Sequence, residues 1–358
     1  MMKKGKLKYR GAKRGLAVCI GASMSAMLVC GCETQQSVAE NKVHVGVTYY
    51  NQSDTFLNEL LECFEEDLKA YQKGGIETTV TIRDAAGAQR TQNDQVEELI
   101  DAGCDVLCVN LVDRADPSEI IDLARDHDVP IVFFNREPVA EDLLQWDKLY
   151  YVGADADQSG VFQGELASEL IKNDAETDKN GDGRIQYVIL EGEAGHQDAI
   201  IRTENAVETM KNNGVQLEKL SYQIANWNRA QAQNRMQQLI AQYGDGIELV
   251  LANNDDMALG AVDAYEKSGF PKEEYPAFFG IDGTNVGLQA VVDGSFSGTV
   301  YNDKEGQAAA MAELAVALAT HDGLQNMEFE RGKYIYLPYE KITIENVEDF
   351  LSETEPGS

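Results

Sequence analysis

The stretch VLCVNLVDRADPSEIIDLARDHDVPIVFFNREP, residues 106–138, decides the fold. Val106–Val109 and Ile131–Phe134 are short apolar runs rich in β-branched and aromatic residues, the composition of strands buried on both faces. Between them, Ser118–Asp126 spaces its apolar residues for a helix. Strand, helix and strand in that order predict a βαβ unit, with its two strands parallel in one sheet.

The same alternation continues in both directions. Further strands are expected at Val43–Thr48, Thr78–Ile82, Tyr150–Val152, Ile185–Leu190, Leu217–Ile224, Leu249–Ala252, Ala277–Ile281 and Gly298–Tyr301. Helical spacing marks Phe56–Lys69, Gln92–Asp101, Gly160–Lys172, Thr203–Lys211, Ala230–Tyr243, Ala258–Lys267 and Gly306–Leu318. The fold class that follows is α/β, doubly wound parallel sheets with helices on both faces. About ten strands divide naturally into two sheets. Some 320 residues exceed one comfortable core, which again points to two domains.

In such sheets ligands bind beyond the carboxyl ends of the strands. The loops there are polar: Tyr49 to Phe56, Asn135-Arg136-Glu137-Pro138, Glu191 to Asp198, Asn253-Asn254-Asp255-Asp256, Asp282, and Asn302-Asp303. Asn and Asp also cap helices, which accounts for some of these positions. Capping does not account for planar donor and acceptor groups after six separate strands.

The chain opens with seven basic residues and no acid in residues 1–15, then an apolar stretch from Leu16 to Gly31. That is the pattern of a secretory signal, and the run is too short for a spanning helix. It ends Val29-Cys30-Gly31-Cys32, which resembles a bacterial lipoprotein box with Cys32 as the lipidated residue. Residues 1–31 then form the signal peptide and residues 32–42 a polar, flexible tether. Acyl chains on Cys32 would anchor a soluble domain to the membrane without spanning it. With the seven basic charges of residues 1–31 removed, 23 of the 30 Lys and Arg remain against 61 Asp and Glu. A balance of about −38 repels phosphate and excludes nucleic acid as a partner. Three cysteines remain, Cys63, Cys104 and Cys108, too few for a disulfide framework. Cys104 and Cys108 share one strand, with Cα atoms about 13 Å apart, beyond the reach of a bridge. They are expected as buried thiols.

From about Val43 to the C-terminus the chain resembles the periplasmic galactose/glucose-binding proteins of bacterial sugar uptake. The stretches that carry the resemblance are VGVTYYNQSDTF, NLVDRADPSEII, PIVFFNREP, YYVGADADQSG, DKNGDGRIQYVILEGEAGHQDAIIRT, ELVLANNDDMALGAV, FFGIDG and SGTVYNDKEGQA. The resemblance implies a type I periplasmic binding protein fold, two lobes joined by three crossing strands near Gly153–Asp155, Thr299–Asn302 and Tyr336–Pro338. Residues 43–153 with 302–335 would form the N-terminal lobe, and 154–301 with 336–358 the C-terminal lobe.

By match, Phe56 and Trp227 would sandwich a pyranose, each ring covering one flat C–H face. Asp54, Asn135, His196, Asp198, Arg202, Asn254, Asp282 and Asn302 would bind its hydroxyls. Carboxylates accept, Arg donates in a fixed fork and Asn does both, so no hydroxyl need stay unpaired. D-galactose and D-glucose, which differ at one hydroxyl, both stand as ligands. One departure is Gln197, where the resemblance leads one to expect Pro.

Asp178-Lys179-Asn180-Gly181-Asp182-Gly183-Arg184-Ile185-Gln186 places oxygen donors at alternate positions with glycine at the sixth. That is the spacing of an EF-hand calcium loop, with side chains of Asp178, Asn180, Asp182 and Gln186 and the carbonyl of Arg184. The twelfth position is Ile189 and not Glu, so the closing acid must come from elsewhere, and the resemblance supplies Glu248. A strand follows the loop where an EF-hand has a helix, so the expected Ca2+ ion is a structural clip over residues 178–186.

The functional expectation is an extracytoplasmic, monomeric solute-binding protein that hands its sugar to an ABC transporter permease. Presentation to a chemoreceptor or sensor kinase is the alternative. A glycosidase would use two of these acids as a pair. Yet no nucleophile elbow, HExxH or phosphate loop accompanies them, and no basic helix-turn-helix precedes them as in a sugar-responsive regulator. The chain reads as a binding protein and not an enzyme.

Overall fold

The computed structural model describes residues 42–351. The signal peptide, Cys32, the tether up to residue 41 and residues 352–358 lie outside the described residues.

The chain alternates strand and helix. In order come β1 (Lys42–Tyr49), α1 (Thr55–Tyr71), β2 (Glu77–Asp84), α2 (Gln89–Asp101), β3 (Val106–Val109), α3 (Ser118–Asp126), β4 (Ile131–Phe134), the single turn α4 (Ala140–Leu143) and β5 (Leu149–Ala154). Then follow α5 (Ala156–Asn173), β6 (Ile185–Glu191), α6 (Gln197–Asn212), β7 (Leu217–Ile224), α7 (Arg229–Tyr243), β8 (Leu249–Ala252), α8 (Asp255–Ser268) and β9 (Ala277–Phe279). The last elements are α9 (Asn285–Val292), β10 (Thr299–Asn302), α10 (Lys304–Thr320), β11 (Tyr334–Leu337) and β12 (Tyr339–Ile342).

Two parallel sheets result, in the orders β11-β5-β4-β3-β1-β2 and β7-β6-β8-β9. The α/β class expected from the alternation is the one observed. Every residue of β3, β4 and β8 is buried, because helices cover both faces. Alternate side chains feed different cores. Val106, Cys108, Val132 and Phe134 join the core under α1 and α10, whereas Leu107, Val109, Ile131 and Phe133 join the one under α3.

The chain passes between the sheets three times, after β5, after β10 and after β11. Helix α5 packs on α6, and α10 returns to pack on α1. Strand β11 pairs with β5 through Leu337↔Ala154, so the first sheet runs two residues beyond the boundary expected at 335.

Several elements differ from expectation. Strand β9 stops at Phe279, two residues early. Strand β10 pairs antiparallel with β12 and meets β9 only through the single bridges Phe279↔Gly298 and Asp282↔Tyr301. Strands β11 and β12 are four residues each, and α9 is eight, too short for periodicity to reveal. Helix α9 is marked instead by its cap, the Thr284 hydroxyl accepting from the Gly287 N–H at 3.1 Å. Cys104 and Cys108 are buried free thiols, and Cys63 is free and half-buried.

Candidate functional site

The loops at the carboxyl ends of both sheets meet around one cavity. It is lined by Tyr50, Asp54, Phe56, Asn135, Arg136, His196, Asp198, Arg202, Trp227, Asn254 and Asp282. Nine of the ten expected contact residues therefore converge. Asp54, Phe56 and Asn135 come from the first sheet's loops, the rest of the nine from the second's. The free volume between them is about 30 Å3, room for one or two waters.

Local backbone chemistry sets the side chains. Asp54 caps α1, one oxygen accepting from the Leu57 N–H at 3.0 Å and the other from the Tyr50 hydroxyl at 2.7 Å. Asn254 caps α8 through the Met257 N–H at 2.9 Å and donates to the Trp227 carbonyl at 3.3 Å. Both are capping residues and cavity residues at once. Asn135, Trp227 and Asp282 all have positive φ, at 58°, 58° and 119°. Non-glycine residues reach that region at a cost, and such strain gathers at binding sites.

Arg202 is the best-anchored group. It donates to the Asn253 carbonyl at 2.7 Å and the Tyr339 hydroxyl at 3.0 Å, and it lies 3.5 Å from Asp282. Among the described residues its Nε has no partner, nor has His196 Nδ1, although both atoms are buried. Unpaired buried polar atoms are costly and rare. Two of them on one cavity wall suit a ligand rich in hydroxyls.

Burial holds the His196 imidazole well below its ordinary range, and the charges of Arg136, Arg202 and Arg114 add to that effect. The ring packs edge-on to Trp227 at 5.3 Å and lines the cavity. Burial raises Asp198 against the opposing pull of Arg202, Arg114 and Arg136, and raises Asp282 well above the carboxylate range against Arg202. Such carboxyls gain from hydroxyl donors that replace lost water.

Asn302 stands apart. It is buried at the end of β10, its amide oxygen accepts from Gln307 at 2.7 Å, and it does not line the cavity. Two cavity residues escaped the sequence reading, Tyr50 and Arg136. The Arg136 guanidinium lies 3.6 Å over the Tyr50 ring and reaches Glu193, in a loop of the second sheet, at 3.0 Å. Both sat in loops already singled out, but as neighbours of the expected contacts.

Comparison with known proteins agrees with this arrangement. A family model described as a periplasmic binding protein domain matches residues 45–323. The chain belongs to the periplasmic binding protein family. It is 34% identical over 333 residues to the D-galactose/methyl-galactoside binding periplasmic protein MglB of Haemophilus influenzae, covering 92% of this chain and 98% of that one. It is 29% identical over 270 residues to a putative rhizopine-binding protein of Rhizobium meliloti, covering 75% and 81%. Among solved structures, an ABC transporter solute binding protein from Bacillus halodurans with bound myo-inositol superposes with a TM-score of 0.72 at 28% identity, over 88% of this chain and 99% of that one.

This periplasmic binding protein also carries the oxygen-rich loop expected from the sequence. The Asp178 carboxylate accepts from the N–H groups of Gly181 and Gly183, both at 2.8 Å, and Asp182 accepts from Arg184 at 2.8 Å. Glu248, 1% exposed, reaches over from the start of β8 and accepts from Lys179 at 2.7 Å and Gln186 at 3.0 Å. Gln186 also contacts Asn180 at 2.9 Å and Asp182 at 3.0 Å. Among the described residues no His, Cys, Asp and Glu cluster forms a metal site unaided. Here the amides of Asn180 and Gln186 complete the set. Three carboxylates and two amide oxygens held by a glycine-turned loop fit a hard divalent cation.

Proposed function

We propose that the protein is an extracytoplasmic solute-binding protein that takes one hexose, D-galactose or D-glucose, between its two halves and delivers it to an ABC transporter permease. The observation that carries this reading is the convergence of Phe56 and Trp227 with Asp54, Asn135, His196, Asp198, Arg202, Asn254 and Asp282 around one cavity. Two aromatic planes remove the C–H faces of a pyranose from water, while the polar groups meet its hydroxyl rim. The unpaired Nε of Arg202 and Nδ1 of His196 would gain partners from the hydroxyls.

The mechanism is a population shift. A sugar held from both halves binds the closed arrangement more tightly than the open one, and that difference closes the protein. The closed form is the one a permease can select. The loop 178–186 with Glu248 holds a Ca2+ ion that ties β6 to β8 and stabilises the second half, away from the sugar. Cys32 tethers the protein to the membrane by its acyl chains.

The relatives support the ligand class. One is named for galactose and methyl-galactoside, and a solved structure holds myo-inositol, another six-membered ring bearing hydroxyls. Calorimetric titration of the purified protein with galactose, glucose, ribose, xylose and myo-inositol tests the reading. Saturable binding of galactose or glucose at micromolar concentration is expected, near −8 kcal/mol. A protein that is folded and calcium-loaded yet binds none of the five would refute it.

A further inference from the structure

Besides the Arg136–Glu193 pair, a buried ion pair of the first half is met by a group from the second. Lys304 opens α10, on the first half, and its ammonium lies 2.5 Å from the Glu59 carboxylate on α1. Both are withdrawn from water, with side chains 4% and 12% exposed. The pair is met from the second half by Asn285, the first residue of α9. Its backbone N–H donates to the two Glu59 oxygens at 3.0 and 3.1 Å, and its amide oxygen accepts from Lys304 at 3.1 Å. Nearby, the Thr55 hydroxyl donates to Asp256 at 2.7 Å, a further contact between the halves.

The chemistry is specific to the closed arrangement. A carboxylate at the first turn of a helix meets free N–H groups and the positive end of the helix dipole. Here the helix belongs to one half and the carboxylate to the other, so the interaction exists only while the halves meet. An ion pair taken out of water is favourable only when further hydrogen bonds satisfy its remaining donors and acceptors. Asn285 supplies one of each. On opening, Glu59 and Lys304 keep each other but lose Asn285 and regain water.

We propose that Glu59, Lys304 and Asn285 are positioning residues for ligand binding, an interdomain latch that sets affinity without touching the ligand. This rests on the sugar-binding reading above. None of the three lines the cavity. Because solute is held by the closed form, apparent affinity falls with the fraction of protein able to close, and the latch raises that fraction. Its contribution appears after the solute has entered, and therefore in the dissociation rate.

Asn285→Pro is the cleanest variant. Proline suits the first position of a helix, so α9 should persist while the N–H that Glu59 uses is lost. Lys304→Met removes the ammonium with little change of shape. Binding of D-galactose and D-glucose is measured by calorimetry and stopped-flow fluorescence, with melting temperature as the folding control. Each variant should release sugar about tenfold faster or more with an almost unchanged association rate, as when a buried charged contact is truncated. The double variant should show less than the product of the two effects, since both remove one network. A wild-type protein that binds sugar, with variants that match its dissociation rate, overturns the latch alone. A wild-type protein that binds neither sugar overturns both readings.

Discussion

The indole of Trp227 rests on the backbone of Gly192, filling the space that a Cβ at residue 192 would occupy. Glycine there is a requirement of the site: it lets the β6–α6 loop pass beneath the ring. The ring is also held edge-on by His196 at 5.3 Å, and its own backbone sits at φ 58°. Gly192→Ala should therefore push the indole into the cavity while β6 keeps its place. Overpacking of this kind costs about 1–3 kcal/mol, which at the site reads as roughly a fivefold to 150-fold loss of sugar affinity. Calorimetry gives the loss, and an unchanged melting temperature would locate it at the ring. Affinity within twofold of wild type would mean that the indole is not a contact.

Trp227→Ala tests the other half of that argument. It removes one wall of the sandwich and leaves Gly192 uncovered. The expected loss in galactose or glucose affinity is well over tenfold, with Phe56→Ala similar. Titration of both variants decides it, and a loss below twofold in either removes that ring from the sandwich.

How much of this was readable in the sequence depends on the distance over which each signal acts. The βαβ alternation was legible because β3, β4 and β8 are buried on both faces, and such strands must be apolar throughout. Helices α3 and α7 were placed almost to the residue by their apolar spacing and their ends. Strands β11 and β12 were not, because Tyr334–Leu337 and Tyr339–Ile342 owe their form to partners far back in the chain, Tyr151–Ala154 and Thr299–Asn302. The loop residues of the cavity could be named from the family resemblance, yet Tyr50 and Arg136 entered only through a ring-to-guanidinium contact spanning 86 positions, which no local pattern encodes. Asn302 shows the reverse: its residue type and place were read, but Gln307, one turn into α10, occupies its amide oxygen.

Chelation tests the calcium loop separately from the cavity. Glu248 holds both ends of the loop through Lys179 and Gln186, and an ion among Asp178, Asn180, Asp182, Gln186 and Glu248 would add to that tie. A ligand present at one hundred times its dissociation constant stabilises a fold by about 2.7 kcal/mol. Excess chelator should lower the melting temperature by several degrees, and added calcium should restore it. Glu248→Gln should melt lower at the outset and respond little to either treatment. A wild-type melting curve indifferent to chelator, after metal analysis shows removal, would argue against the ion.

Asp255 gives the fold a pH dependence whose sign can be worked out. Its carboxylate is fully buried behind the cavity and accepts from the Thr284 N–H at 2.8 Å, the Thr284 hydroxyl at 3.1 Å and the Thr299 hydroxyl at 2.6 Å. These bonds favour the charged form, but burial outweighs them and pushes the pKa up from 3.8 to about 7. The folded state thus holds a proton that the unfolded chain has released, so this group lowers stability as pH rises from about 4 to 7, with no further change above. Replacing it by Asn removes the titration. The unfolding free energy of Asp255→Asn, minus that of wild type, should therefore rise across that window by up to about 4 kcal/mol. Urea unfolding of both proteins at pH 4.5, 6 and 8 measures the difference, in which carboxylates remote from Asp255 cancel while Asp282 and Asp256, which feel its charge, contribute in part. A difference that is flat, or that falls with pH, would show that the Thr284 and Thr299 hydrogen bonds outweigh burial and keep Asp255 ionised.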